Sequence, residues 1–256
     1  MRFGDRRTRI KPYPSCVHIS FKLIKTHLDG SLAEDDELVV MSLFWDRLYE
    51  ADNSFFGEEP STFAILCYDE YLKKNNLKRM LELGCGQGRD TLFFASKGID
   101  IAALDYSSVA INRLNKRAKE MNLTSSIHTS IFDARNNNAI PFDKDEFDVV
   151  YSHMFFNMRF KWTEMRFIFQ EVRRVLRSKG LNFFSVRNRN DKSYGMGRKI
   201  ENDECDMYDH DGFQIRFFTE QQVKALMEEE GFEILDIKQT DEEPVTLYLV
   251  TTRKRD

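Results

Sequence analysis

The chain has 256 residues and a formal net charge of −4, which fits one α/β domain with its own core and does not suggest a nucleic-acid coat. No run of about eighteen apolar residues occurs, so no membrane span is predicted. The four cysteines form no C-x-x-C pair; they suggest neither a zinc site nor a redox pair, but thiols in a reducing, cytoplasmic compartment.

Residues 1–40 differ from the rest. Arg2, Arg6, Arg7, Arg9 and Lys11 make the start basic, Pro12 and Pro14 follow, and Asp35, Asp36 and Glu37 reverse the charge. Lys22 and Lys25 interrupt any apolar core that a signal peptide would need. This stretch reads as an N-terminal arm outside the domain, which occupies 41–256; one function for it is to bind a partner. Ser42 to Tyr49 reads as an amphipathic helical turn, and Thr62 to Asn75 as a second helix with Phe63, Leu66, Cys67 and Tyr71 on its apolar side.

Residues 79–105 organise the chain. Met80-Leu81-Glu82-Leu83 is a short apolar strand, Gly84-Cys85-Gly86-Gln87-Gly88 a glycine-rich turn, and a helix follows. Ile99 to Leu104 is a second apolar strand, with Asp105 at its end. This is the opening βαβ unit of a nucleotide-binding sheet. Bare backbone at Gly84 and Gly86 permits close approach of a ligand, and the new helix aims free N–H groups at the same place. Asp105 lies roughly twenty residues past the turn, the spacing expected of an acid that accepts two hydrogen bonds from a ribose diol. A dinucleotide fingerprint needs its third glycine where Arg89 stands, and a P-loop needs a lysine that the turn lacks.

The remaining pattern, E-x-G-x-G-x-G, resembles the first motif of the class I S-adenosylmethionine (SAM) dependent methyltransferases. The resemblance extends from about Phe44 to the C-terminus. It implies a Rossmann-like sheet of seven mostly parallel strands with helices on both faces and a C-terminal antiparallel hairpin, with SAM as cofactor. It also implies that the glycine turn (Gly84, Cys85, Gly86, Gln87, Gly88) faces the methionine part of SAM. Asp105, followed by Tyr106, would take the ribose. Because family-like sequence begins only near Phe44, Met41 is a candidate natural start. In such enzymes a leading helix folds over the SAM pocket, which makes Trp45 and Tyr49 candidate lid residues.

Ser107 to Asn122 is a helix capped by Ser107 or Ser108, and Ser126 to Phe132 is a third strand. Asp133 and Ala134 follow it, where the resemblance implies contacts to adenine. Phe147 to Tyr151 is a fourth, buried strand; Ser152 and His153 stand at its carboxyl end, where open α/β sheets bind ligands. Trp162 to Arg177 reads as a helix ended by Gly180, with a basic face of Arg166, Arg173, Arg174 and Arg177. That face is read as solvated, or more sharply as a site for phosphate or an acidic partner. Leu181 to Val186 is strand five. Thr219 to Glu230 is a helix opened by a capping box, and Phe232 to Lys238 and Val245 to Arg253 are two last strands. Residues 187–218 exceed a usual connection, run from basic to acidic, and are expected to cover the substrate.

Methyl transfer from a sulfonium needs alignment and exclusion of water more than acid or metal. His153 is the best-placed general base, ahead of His210, and Phe155, Phe156, Trp45 and Tyr49 are available to steady the cation. The Asp/Asn-Pro-Pro-Tyr motif of DNA amino methylation and the Pro-Cys of cytosine C5 enzymes are absent. What remains resembles the branch with thiopurine and tellurite-resistance methyltransferases, which implies a small-molecule acceptor. Methylation of protein or RNA and a non-catalytic SAM-binding partner protein are the alternatives.

Overall fold

The computed structural model describes residues 44–135, 137–201, 204–210, 213–242 and 245–256. The basic arm, Met41 and the end of the hairpin turn lie outside them. The described residues begin with a helix over 44–51, α1. Next comes Thr62–Cys67, α2, capped by the Ser61 hydroxyl and continued by a π turn, Tyr68–Leu72, and a last turn, Lys73–Asn75. The βα repeats follow as β1 (Arg79–Leu83), α3 (Arg89–Ser96), β2 (Asp100–Asp105), α4 (Ser108–Glu120), β3 (Ile127–Ile131), β4 (Phe147–Ser152), α5 (Trp162–Val175) and β5 (Leu176–Arg187). A small antiparallel sheet, β6 (Arg198–Ile200), β7 (Asp206–His210) and β8 (Phe213–Phe217), precedes α6 (Glu220–Glu229), β9 (Phe232–Glu242) and β10 (Val245–Lys254).

The main sheet has seven strands in the order β3-β2-β1-β4-β5-β10-β9. β1 to β5 are parallel, and β10 runs antiparallel to both β5 and β9. This is the fold class that the sequence implies. The order reverses between β1 and β4, and a crevice at such a switch point is where α/β sheets bind ligands. Glu82 pairs with Tyr151 there, so the turn after β1 and the loop after β4 leave the sheet side by side.

Strand alternation builds one core on each face. Leu81, Leu83, Val150 and Phe184 pack under α5 and α6, with Phe169 and Met227. Met80, Val149, Tyr151 and Phe183 pack under α2, α3 and α4, with Phe63, Phe94 and Leu114. Ser107 caps α4 through Ala110 N–H, and Thr219 and Gln222 close the expected capping box on α6.

Two expectations change. The helix α5 stops at Val175, not Arg177, because Leu176 is fully buried opposite Phe147 in the sheet. Residues 177–180 then bulge before Leu181 rejoins the ladder opposite Val149, so Gly180 belongs to a strand bulge. The basic face of 166–177 stays partly in solvent, with Arg166 37% and Arg177 52% exposed, while its charges meet acids. Arg166 pairs with Glu229 and Glu230, Arg174 with Glu171, and Arg177 with Asp148, while Arg173 packs on Gly231. The opposite charges in 187–218 also meet one another, as Arg189 and Lys199 pair with Asp206 and Arg198 with Asp209.

The third apolar cluster places the inserted sheet. Phe213, Ile215 and Phe217 of β8 pack against Phe44, Trp45, Leu48 and Tyr49 of α1. The insertion therefore props the first helix onto the domain.

Candidate active site

The glycine turn is shaped by contacts that no side chain would permit. Gly84 has φ +72°, and a Cβ there would stand 2.7 Å from Phe155 Cδ2. Gly88 has φ +82°, and a Cβ would stand 2.3 Å from Leu114 Cδ1, so its bareness seats α3 against α4. Gly86 donates its N–H to Asp105 Oδ2 at 2.8 Å, and Ser107 N–H donates to Oδ1 at 2.9 Å. Asp105 is thereby fixed at the end of β2 under the turn. Burial pushes its carboxyl up to about 6, against the lowering effect of those two N–H donors.

Gln87 faces away from the turn. Its Oε1 accepts the Phe55 N–H at 3.0 Å, and its Nε2 donates to the carbonyls of Asp52 and Tyr49 at 2.8 and 3.4 Å. Arg89 Nη1 donates to Phe56 carbonyl at 2.7 Å, and Ser107 Oγ bonds Asp46. The turn thus fastens residues 46–56 over itself.

Two joined clefts open at the crevice. The larger, about 930 Å³ with its mouth, reaches from Gly84 and Asp105 past Tyr106, Asp133 and Ala134 to His153, Phe155 and Phe160. Trp45, Tyr49 and Phe56 close it from the side of α1. The smaller lies along the glycine turn and includes Glu82, Cys85, Gln87, Asp90 and His153. The structure brings the sequence-predicted site residues together except Phe156, which is stacked on Phe169 in the core, His210 and Ser152. Ser152 is 1% exposed and lines neither cleft, because it still belongs to β4. His210 lies in β7 and lines neither, and neither do residues 187–218, which reach the clefts through α1.

Asp133 is already engaged: Oδ1 accepts from Arg135 Nε at 2.8 Å and Oδ2 from Nη2 at 2.5 Å. Burial raises its pKa, but the Arg135 hydrogen bonds prevail and hold it below the usual value. The Arg135 guanidinium lies 5.2 Å from the centre of the Tyr106 ring. His153 Nδ1 lies 2.8 Å from Ser185 Oγ, and its ring packs on Phe63 at 5.8 Å. Burial, then the Arg89 charge, pushes the imidazole down to about 4.

The turn rests on buried acids. Glu82 accepts from Thr91 Oγ1 at 2.6 Å, and burial together with the Asp90 charge pushes its carboxyl up to about 8. Asp90 accepts from Ser61 N, Ser61 Oγ and Tyr151 OH at 2.7 to 2.8 Å. Sequence reasoning missed these as site residues. Glu82 is the acid of the E-x-G-x-G motif and was legible; the partners of Asp90 come from elements 29 and 61 residues away.

Residues 80–180 match a protein family described as "Methyltransferase domain". A curated relative from Haemophilus influenzae, the probable S-adenosyl-L-methionine-dependent methyltransferase TehB, is 31% identical over 78 residues. Residues 80–180 carry a methyltransferase domain.

SAM is the cofactor of such a domain. The TehB match spans 30% of this chain and only a quarter of the relative's length. The structure of Burkholderia thailandensis 1,6-didemethyltoxoflavin-N1-methyltransferase, with 1,6-didemethyltoxoflavin and S-adenosylhomocysteine bound, matches with TM-score 0.65 at 17% identity. That match covers 90% of this chain and 94% of the other. The [4+2]-cyclase SpnF matches with TM-score 0.62 at 17% identity, over 84% of this chain and 96% of its own. These likenesses show the methyltransferase fold. A cyclase among them illustrates that the fold alone does not set the reaction. Among the described residues, no helix is long and apolar enough to cross a membrane.

Proposed function

We propose that the protein transfers the methyl group of SAM to a small-molecule acceptor by in-line displacement. The observation that carries this reading is the meeting of Gly84, Asp105 and the loop His153 to Phe155 on one walled cavity at the switch point.

The residues present suit SAM. The buried acids Glu82, Asp90 and Asp105 favour a ligand with two cationic centres, and both clefts carry aromatic walls. Gly84, Cys85 and Gly86 would flank the methionine end with bare or small surfaces. Gln87 and Gly88 would act there by holding the lid and by seating α3. Asp105 would turn its carboxylate to the ribose diol. Tyr106 and Ala134 would face the adenine, and Asp133 would serve its amino group while held by Arg135. Bound SAM supplies a methyl carbon on a sulfonium that departs as a neutral thioether. The protein's own part is to position the acceptor opposite that bond and to keep water out, for which the α1 lid is suited.

A small acceptor is favoured over protein or RNA because Trp45, Tyr49 and Phe56 roof the cavity. The buried free thiols of Cys67, Cys85 and Cys205 agree with a reducing, cytoplasmic setting. The test is transfer of label from methyl-labelled SAM to separated small-molecule, protein and RNA fractions of a cell extract. Label is expected in the small-molecule fraction; label confined to protein or RNA would overturn the reading, and no transfer to any fraction would favour the non-catalytic SAM-binding alternative.

A further inference from the structure

The hydrogen bonds behind His153 decide what it offers the clefts. Ser185 is fully buried on β5. Its Oγ accepts the Met154 N–H at 2.8 Å and lies 2.8 Å from His153 Nδ1. Met154 holds a left-handed backbone, φ 59°, unusual for a non-glycine residue, and with that conformation its N–H meets Ser185. A hydroxyl has one hydrogen to give. Among the described residues, the acceptor recorded within reach of that hydrogen is His153 Nδ1. If Nδ1 carried a hydrogen, the Ser185 hydrogen would be buried without an acceptor, at real cost. The serine therefore donates, Nδ1 stays bare, and the neutral ring carries its hydrogen on Nε2.

We propose that His153 is a hydrogen-bond donor to the acceptor molecule, through Nε2–H, and not a general base. The ring lines both clefts while its Nδ1 edge is spent on Ser185, so Nε2–H is the polar group it presents. Among the described residues, the two carboxylates that line the larger cavity are already engaged. Both oxygens of Asp105 accept backbone N–H groups, and both oxygens of Asp133 hold Arg135. The acceptor's reacting atom must then arrive without a proton to shed, as an anion or an uncharged lone pair. A fixed N–H given to one lone pair would hold and orient such an atom while a second lone pair attacks the methyl carbon, which favours an anionic oxygen or sulfur.

This inference rests on the methyl-transfer reading, and two measurements separate their failures. The first is long-range proton–nitrogen NMR on the full chain with labelled histidine and saturating S-adenosylhomocysteine. His153→Gln assigns the signal, and calorimetry on the same sample checks that the thioether binds. At pH 7 a neutral ring protonated on Nε2 is expected, and Ser185→Ala should admit an Nδ1–H population. A wild-type ring protonated on Nδ1, or on both nitrogens, would overturn the proposal even if the thioether binds. The second is turnover of the labelled small-molecule fraction. His153→Gln, which keeps a donor, should stay within a few fold of wild type, and His153→Phe should lose about tenfold or more. Equal loss in both would overturn the donor role.

Discussion

At the residue scale the site is governed by buried acids awaiting a cation. Glu82 and Asp105 hold their protons up to about 8 and about 6, above their ordinary values, chiefly because burial disfavours the charged form. These two carboxyls therefore bind protons more tightly in the folded protein than in the unfolded chain. Their contribution to the stability of the ligand-free protein should fall as pH rises from about 4, where the unfolded groups ionise, to about 8, where the folded ones follow, opposed below about 6.5 by the lowered His153 imidazole. SAM carries positive charge into the same place, so its affinity should rise across that window with release of protons. Calorimetry in buffers of different ionisation heat measures both; an affinity that is flat or falls with pH would remove the acids from the account. Gly88→Ala tests the turn itself. A Cβ 2.3 Å from Leu114 on a left-handed backbone should cost about 1–3 kcal/mol, read as a lowered denaturant midpoint. Part of this scale was legible, since the glycine pattern and spacing marked Gly84 and Asp105, the end of a strand marked His153, and the family resemblance marked Asp133. What sequence could not show is how each side chain is already committed. Gln87 clamps the lid, Arg135 holds Asp133, and Ser185 fixes the His153 ring through a pairing 32 residues distant.

At the scale of elements, the lid is held from two sides. Gln87 and Arg89 grip its backbone from the glycine turn. Phe213 of β8 supports its side chains, 5.3 Å from Phe44 and 5.9 Å from Trp45. Gln87→Ala removes hydrogen bonds worth about 1 kcal/mol each. It should raise the dissociation rate of S-adenosylhomocysteine about tenfold, followed by Trp45 fluorescence, with little change in the thermal midpoint. Phe213→Ala should cost about 3–5 kcal/mol of stability and loosen the same ligand, although Phe213 does not line the clefts. The helix over 44–51 and the capped helices were legible from periodicity and caps. The length of 187–218 signalled an insertion, but its small sheet and its seat behind α1 rest on long-range packing that no local pattern carries. The ion-pair partners of Arg166 and Arg177 were not legible for the same reason, because Asp148, Glu229 and Glu230 reach them from other elements.

At the scale of the whole molecule, parallel order and a switch point between β1 and β4 create the crevice, and the antiparallel β10 and β9 extend the sheet beyond β5. Anything that binds the folded crevice and not the unfolded chain must stabilise the whole domain, by about 2.7 kcal/mol at a hundredfold excess over its dissociation constant. SAM and S-adenosylhomocysteine should therefore both raise the thermal midpoint, and NAD should not. This architecture was the most legible part of the chain, because apolar strands, glycine stops and helical periodicity all agree on it.

The measurement that tests the account most directly is calorimetric titration of SAM into the wild-type protein and into Asp105→Ala. The account predicts saturable one-site binding to wild type and a loss of about 1–3 kcal/mol in the variant, the scale of a charged hydrogen-bond partner. A folded wild-type protein that takes up no SAM, or a variant that binds it equally well, would contradict it.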